Sequence, residues 1–457
     1  MTESVAMKKD YLSATEVVAQ AIGSVAPSVT PAVLVGSVFA ITGNGTWIVF
    51  VFAALTLLLW TTQLNAFTRQ IATSGGFTVL IAQSLGSTAS VVAGWAQTIA
   101  YVFSVSFCTA GFTSIFHAFM PSILLSLGGG VTALLLALSL AYRDIKLSAR
   151  VTLTLELATM SGIVGLIFYH FFHTGHFLDQ AQLHLDGIGL DDLRKGLAVG
   201  FLSFAGFESV CTLGVETKNS KKALPRAALR SVLICGLFFV ISSYGLVDAF
   251  QGSTPALDKI DSPITKLAQL SGLSWLGGLM ALGVLSSFFA CMLGYINATG
   301  RVFHGLAHCG LFHAKAQKIH RTYSTPHIGV TFAALLAVIP PILLTSLDIP
   351  LGTQMDILGT LSALGILTCY LLVAIGAPLY RKKKNNLKIH HVIVSLITIT
   401  LLSIPILGLL YPVPEGPEAF LPYIFLALFV PGLGWFLSMR RRNPQKLKAL
   451  ENAFLKS

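Results

Sequence analysis

The sequence predicts an all-α membrane protein of twelve transmembrane helices, ten of them arranged as a five-plus-five inverted repeat in which helices 1 and 6 are broken. Three observations carry this reading. Of 457 residues, 54% are hydrophobic and only 11% charged, against about 25% charged in an ordinary soluble domain. Apolar runs of about 20 residues, the length that crosses a bilayer, recur along the whole chain, and mean hydropathy is +0.76. The first and sixth runs carry helix-breaking residues at mid-span. A chain with so little charge cannot coat a globular surface, which excludes a soluble enzyme, a nucleic-acid-binding domain and a disordered protein.

The runs place spans near 15–40, 46–67, 90–116, 121–141, 150–172 and 195–215. They continue near 227–250, 274–299, 326–346, 354–379, 391–411 and 421–439. The organisation that follows is a cytoplasmic tail (1–14), a first repeat (15–172), an exterior loop (173–194) and a second repeat (195–379). Spans 11 and 12 form a peripheral pair (391–439), followed by a cytoplasmic tail (440–457). Met1 to Tyr11 is polar and carries no cleavable apolar stretch, so insertion is expected to begin with the first span.

Orientation follows from the basic residues, which are retained on the cytoplasmic side. With the N-terminus inside, 26 of the 30 Lys and Arg fall on the two tails and the even-to-odd connections, and only Arg194, Lys195, Lys259 and Lys266 face the other side. Misplacing one span would destroy that asymmetry. Both termini are therefore expected in the cytoplasm, and the net charge of +11 is an orientation signal, with no nucleic-acid partner implied. The longest exterior loops, near 173–194 and 251–273, carry Asp179, Asp186, Asp191, Asp192, Asp258 and Asp261 and are too short for a folded domain. Function must then reside within the helix bundle, in contact with the lipid bilayer. The six cysteines (Cys108, Cys211, Cys235, Cys291, Cys309, Cys369) show no CxxC spacing and are read as free thiols.

Span 1 runs Ala21-Ile22-Gly23-Ser24-Val25-Ala26-Pro27-Ser28-Val29-Thr30-Pro31, and span 6 runs Gly200-Phe201-Leu202-Ser203-Phe204-Ala205-Gly206-Phe207-Glu208-Ser209. Gly and Pro at these depths interrupt a helix. Paired interruptions in spans 1 and 6 are what two inverted five-helix repeats produce, with the substrate between them. The offset from Gly23 to Gly206 is 183 residues, the same as that from Gly94 to Gly277 at the openings of spans 3 and 8. An unwound break leaves amides free at the start of one half-helix and carbonyls free at the end of the other. Amides suit a carboxylate and carbonyls suit an ammonium, so two facing breaks make a receptor for a zwitterion.

Phe204-Ala205-Gly206-Phe207-Glu208-Ser209, Glu216-Thr217-Lys218-Asn219 and Leu224-Pro225-Arg226-Ala227 resemble the sixth span and following loop of permeases of the amino acid–polyamine–organocation (APC) superfamily. Ser74-Gly75-Gly76-Phe77, Asn297-Ala298-Thr299-Gly300-Arg301, Gly310-Leu311 and Thr325-Pro326-His327 extend the resemblance from span 1 to span 10. It implies the APC fold and a secondary active transporter that moves amino acids across the cell membrane by alternating access. In a Gram-negative source that is the inner membrane. Transport would be proton- or sodium-coupled or by exchange. The chain departs from the family at Ser220 and His313, where Pro is usual, and at Ala26-Pro27-Ser28, where many members carry a Gly-Ser/Thr-Gly triplet. Pro27 removes one donor, so the carboxylate is expected on the Ala26, Ser28 and Val29 amides and the Ser24 or Ser28 hydroxyl.

The substrate site is thus expected at Gly23, Ser24, Val25, Ala26, Ser28 and Val29, opposite Phe204, Ala205, Gly206 and Phe207. Carbonyls around Phe204 and Ala205 would take the amine, and Phe207 or Tyr101 would close over the side chain. Leu202 stands where some exchangers carry a gating aromatic, a role open to Phe204 or Phe207. Glu208 is expected to couple or gate, because a carboxylate within a span is expensive and functional by default; a structural acceptor near the break is the alternative. Glu156 is read either as a proton site or as a carboxylate snorkelling to the interface. Some relatives carry a coupling Lys one turn deeper, near Thr159, so Lys-based coupling is not expected. Ser286 and Ser287 resemble the paired hydroxyls that close a sodium site in this architecture. His170, His173 and His176 are read as a wet exterior face, His390 and His391 as headgroup contacts, and the Arg381–Lys384 and Arg440–Arg442 runs as inside anchors.

No resident metal or cofactor is expected beyond a coupling ion, and the substrate is an amino acid or amine. A polyamine or organic-cation permease with Glu208 as counter-ion is the rival within transport. From other classes, a membrane-embedded substrate sensor remains, while a membrane enzyme would need a constellation such as HxxxH at mid-span, which is missing.

Overall fold

A computed structural model of the chain describes residues 7–143, 145–185, 188–260, 262–411, 413 and 416–442. The first six residues, the tail beyond 442, Asp186 and Asp261 lie outside the described residues. The helices run in order α1 (Ala14–Val25), α2 (Val35–Thr42), α3 (Thr46–Thr68), α4 (Gly76–Leu85), α5 (Ser87–His117), α6 (Ile123–Arg143), α7 (Ile145–Thr174), α8 (Gln180–His184) and α9 (Leu190–Phe204). After a 3₁₀ segment (Phe207–Leu213) come α10 (Ser220–Ala249), α11 (Pro263–Leu270), α12 (Ser274–His308), α13 (His327–Ser346), α14 (Leu351–Lys383), α15 (Ile389–Leu410), α16 (Leu421–Leu428) and α17 (Val430–Arg442). Among the described residues the architecture is all-helical, with one isolated bridge between Leu12 and Thr217.

Among the described residues, ten helical stretches are long and apolar enough to cross a membrane, and the bent pair Leu190–Phe204 with Phe207–Leu213 makes an eleventh. The longest stretch, Ala14–Thr68, has 55 residues, far more than the ~20 a bilayer needs. It contains the turn Gly43-Asn44-Gly45 between α2 and α3. Burial ranks the helices: the most apolar windows of α5 and α14 are 78% buried, against 22% for α15 and 28% for Glu418–Ser438. The first two are wrapped by other helices and the last two present most of their surface outward. The sequence reading ends span 8 at residue 299, but α12 continues to His308; its last turns are buried against the neighbouring helices, which offsets their lower apolarity. The ten-residue α4 follows span 2 as a helix too short to register as a span in the sequence.

The helix starts are tied together on one side of the bundle. Ser13 caps α1, its hydroxyl accepting from the Glu16 N–H while Glu16 Oε2 accepts from the Ser13 N–H, a capping box. Glu16 Oε1 in turn accepts from Arg150 Nη2 at 2.8 Å on α7. The Tyr11 and Leu12 amides each donate to Glu216 O at 2.7 Å, and Lys218 N–H donates back to Leu12 O. Glu216 also accepts from Arg301 Nη2 on α12 at 2.9 Å, and Arg301 Nη1 donates to Asn297 O. This ion pair is fully buried, with 0% and 3% of the two side chains exposed. All six cysteines are unpaired and buried.

Removing one partner of a buried ion pair strands the other, at a cost of about 3–5 kcal/mol. Arg301→Ala should therefore lower the thermal unfolding midpoint of the purified protein sharply, whereas Glu216→Leu combined with Arg301→Met should lose much less. A single variant as stable as the unmodified chain would contradict this reading.

Candidate functional site

The first break is built by local chemistry. α1 stops at Val25 because Ala26 turns into the left-handed region (φ 49°) and Pro27 has no N–H to continue the ladder. The chain re-enters a helix through a π turn at Thr30–Leu34, a form that clusters at functional sites. The second break follows Phe204: Ala205 is extended, Gly206 has φ +116°, and the chain resumes as a 3₁₀ helix after a bend of 40°.

The two breaks touch. A Cβ on Gly206 would lie 2.6 Å from the Ser24 carbonyl, and one on Gly294 of α12 would lie 2.9 Å from Ser24 Cα. Only residues without a side chain allow α1 to be pinched between these two elements. The contact is then fixed by polar groups: Ser209 Oγ lies 3.3 Å from Ser24 Oγ, Cys291 Sγ donates to Ser24 O at 3.3 Å, and Gln20 Nε2 donates to Gly294 O at 3.1 Å.

Each break is capped by a buried carboxylate of the chain. Glu156 Oε1 on α7 accepts from the Ser28 N–H at 2.7 Å, and Glu208 Oε2 accepts from the Gly206 N–H at 2.9 Å and the Tyr370 hydroxyl at 2.8 Å. Both carboxylates are 0% exposed. Their second oxygens, and the hydroxyls of Ser28 and Ser287, carry no hydrogen bond. The two hydroxyls flank the Glu156 carboxyl without meeting hydrogen-bond geometry. Glu156 is thus no interfacial snorkeller, and it is Glu156 that reaches the break, while Thr159 packs beside Gly283.

Between the breaks lies a small cavity of about 30 Å³, with room for a water or two, lined by Val25, Val29, Thr30 and Leu34 on one side and by Leu202, Ser203 and Ala205 on the other. Ser104, Phe107 and Cys108 of α5, Cys291 and Tyr295 of α12, and Ser362 of α14 complete it. Of the residues expected at the substrate site, Val25, Val29 and Ala205 line this cavity. Gly23 faces Thr152 of α7. Phe204 packs edge-on against Phe239, and Phe207 sits 5.6 Å from the Trp60 ring and 6.0 Å from Tyr370. Tyr101 contacts Tyr295 at 5.2 Å and accepts from Gln97. None of these three aromatics lines the cavity, whose bulkier lining side chains include Leu202, Phe107 and Tyr295. Leu202 stands at the position the resemblance singled out, while Phe107 and Tyr295 sit in helices buried along most of their length, where periodicity marks no face.

The amides expected to hold a carboxylate are also engaged. Ala26 N–H donates to Ile22 O, Val29 N–H to Ala26 O, and Ser28 N–H to Glu156. The expectation that they stand free is corrected: buried backbone donors are almost always paired, and this chain supplies the partners itself. Ser286 donates to Gly283 O in its own helix, so only Ser287 turns to the break. His170 is not merely wet, lying 3.5 Å from Asp248. His304 and His308 form an HxxxH pair at 3.2 Å near the end of α12, yet no group of three or more metal-ligating side chains occurs among the described residues.

A family model for amino acid permeases matches residues 16–414. The chain is 24% identical over 374 residues to a branched-chain amino acid permease of Bacillus subtilis, 78% of this chain and 77% of that one. It is 21% identical over 346 residues to a low-affinity putrescine importer of Escherichia coli, covering 74% of each. With a vacuolar cationic amino acid transporter of Arabidopsis thaliana it shares 30% over 197 residues, 42% of this chain and 31% of that one.

A side chain at Gly206 must displace the Ser24 backbone and hold a left-handed conformation, together costing about 1–3 kcal/mol or more. Gly206→Ala should lower the thermal midpoint, whereas Gly165→Ala in α7, with open space around it, should leave it unchanged or raise it. Equal midpoints for the two variants would refute the close approach.

Proposed function

The chain belongs to the amino acid permease family, and from that premise we propose that it moves amino acids across the cell membrane as a secondary active transporter working by alternating access. The observation that carries the proposal is the pair of helix breaks facing each other across a cavity at mid-bundle, the arrangement in which transporters of this build hold their substrates. The chain is no enzyme: its family and relatives are permeases.

The twelve-span reading counts Ala14–Thr68 as two spans parted at Gly43-Asn44-Gly45 and the bent pair as one. Spans 1–5 and 6–10 then form the inverted repeat (15–172 and 195–379), with 173–194 exterior and 391–439 peripheral, in keeping with the low burial of α15 and Glu418–Ser438. Both termini are placed in the cytoplasm on the 26 of 30 basic residues that fall there.

Glu156 and Glu208 hold the two breaks closed by accepting from the Ser28 and Gly206 amides. A substrate carboxylate can reach the Ser28 amide only if Glu156 lets it go. Protonating Glu156 weakens that charge-assisted bond and supplies a donor for the unpaired hydroxyls of Ser28 or Ser287 beside it. Proton uptake at Glu156 would thereby exchange one carboxylate for another, which couples the proton to substrate binding. The apolar lining by Val25, Val29, Leu34, Leu202 and Phe107 suits an apolar side chain. The second reading, an organic-cation permease, is favoured by a buried carboxylate at each break and by a cavity lining without a cationic residue.

Uptake into proteoliposomes of labelled amino acids and putrescine, under separate proton and sodium gradients, tests this. A zwitterionic amino acid should be taken up and should respond to the proton gradient. Putrescine uptake that no amino acid competes with would overturn it in favour of the second reading. In the same assay Glu156→Gln should abolish stimulation by the proton gradient while exchange of internal for external substrate persists, and Glu208→Gln should change the pH profile. A Glu156→Gln variant that keeps full proton stimulation would remove Glu156 from coupling.

A further inference from the structure

Where α3 and α14 end and α15 begins, positive charge gathers without a counter-charge. Arg69 caps α3, Arg381 stands in the last turn of α14, and Lys388, His390 and His391 open α15. Arg69 and Arg381 lie within each other's field, and His391 lies within the fields of Arg381, His390 and Lys388. None of these five joins an ion pair with a carboxylate among the described residues.

The hydrogen bonds at the same place are short of acceptors. His391 Nδ1 accepts from the Lys388 N–H at 3.1 Å, and its Nε2 faces Arg381 Nη1 at 3.1 Å. A neutral imidazole accepts at one nitrogen and donates at the other, so one of these contacts sets donor against donor. Arg381 Nη2 donates to Thr62 O at 3.2 Å, while its buried Nε has no partner. Three helices thus present guanidinium and imidazole donors with too few acceptors and a surplus of charge. A group with several anionic oxygens answers both deficits, because guanidinium pairs bidentately with phosphate.

Beside the cluster an exposed apolar strip runs along the two neighbouring helices, through Ile375 and Leu379 of α14 and Ile393 and Leu396 of α15. A free phosphate has no use for such a strip. An acyl chain does.

We propose that Arg69, Arg381 and His391 form a binding site for the phosphate of an anionic phospholipid whose acyl chains lie along α14 and α15, joining the outlying α15 to the bundle. The site is separate from the cavity and from both helix breaks.

The test uses the full-length protein reconstituted in vesicles of phosphatidylcholine containing phosphatidylglycerol, then extracted in mild detergent, with retained lipid measured by native mass spectrometry. The unmodified chain should retain phosphatidylglycerol in preference to phosphatidylcholine. Each charge removed should weaken retention about fivefold, in Arg381→Gln and independently in Arg69→Gln. Lys384→Gln, whose ammonium sits over the Tyr380 ring, should change little. The Arg69→Gln variant keeps the test usable if Arg381→Gln fails to fold. Equal retention of the two lipids, or of phosphatidylglycerol by all variants, would overturn the site. Inorganic phosphate raising the thermal midpoint in lipid-free detergent as far as phosphatidylglycerol does would overturn the lipid as its occupant.

Discussion

Within an apolar bundle, every backbone amide and carbonyl freed by a broken helix must find a partner inside the protein. That constraint governs this molecule. Its two breaks, after Val25 and after Phe204, are opened by Ala26-Pro27 and by Gly206, and each exposes an amide that a buried carboxylate caps: Glu156 on Ser28 and Glu208 on Gly206. The carboxylates are held by the same bonds, since a buried anion without donors would be costlier still. Break and cap therefore stand or fall together, and the cavity exists because both breaks persist.

The remaining packing serves that arrangement. Gly206 and Gly294 let α1 sit between the second break and α12 at backbone distance, while Cys291 and Gln20 bond across the same contact. On the side of the helix starts, Glu216 gathers the Tyr11 and Leu12 amides and Arg301, so the segment following the second break is tied to both the chain start and α12. The three elements that line most of the cavity are thus coupled to one another through a few buried polar contacts. Such contacts have discrete alternatives, and a proton is one way to select among them.

Much of this was legible in the sequence. Long apolar runs place helices without reference to packing, and Pro27 and Gly206 fall at the two breaks. Glu208 stood out as a charge within an apolar run. What could not be read was direction. Phe207 follows Gly206 in the chain, yet the φ of Gly206 turns its ring toward Trp60 and away from the cavity. Tyr295 enters the cavity from a helix buried along most of its length, so periodicity gives it no label. Glu156 looked interfacial because it sits less than two turns from Arg150; only the packing of α7 on α1 brings it to Ser28. α4 was missed for its length.

In the proposed transporter the substrate occupies the space between the two breaks. Cys291 lines that space and lies 3.3 Å from Ser24 O, so its thiol reports on it directly. In a chain whose other cysteines are replaced by serine, reconstituted and transport-active, the measurement is the rate at which a small methanethiosulfonate reagent modifies Cys291 with and without the transported amino acid. The transported amino acid should slow modification in proportion to its occupancy, and an amino acid that is not transported should have no effect. Modification at the same rate with saturating substrate would contradict it.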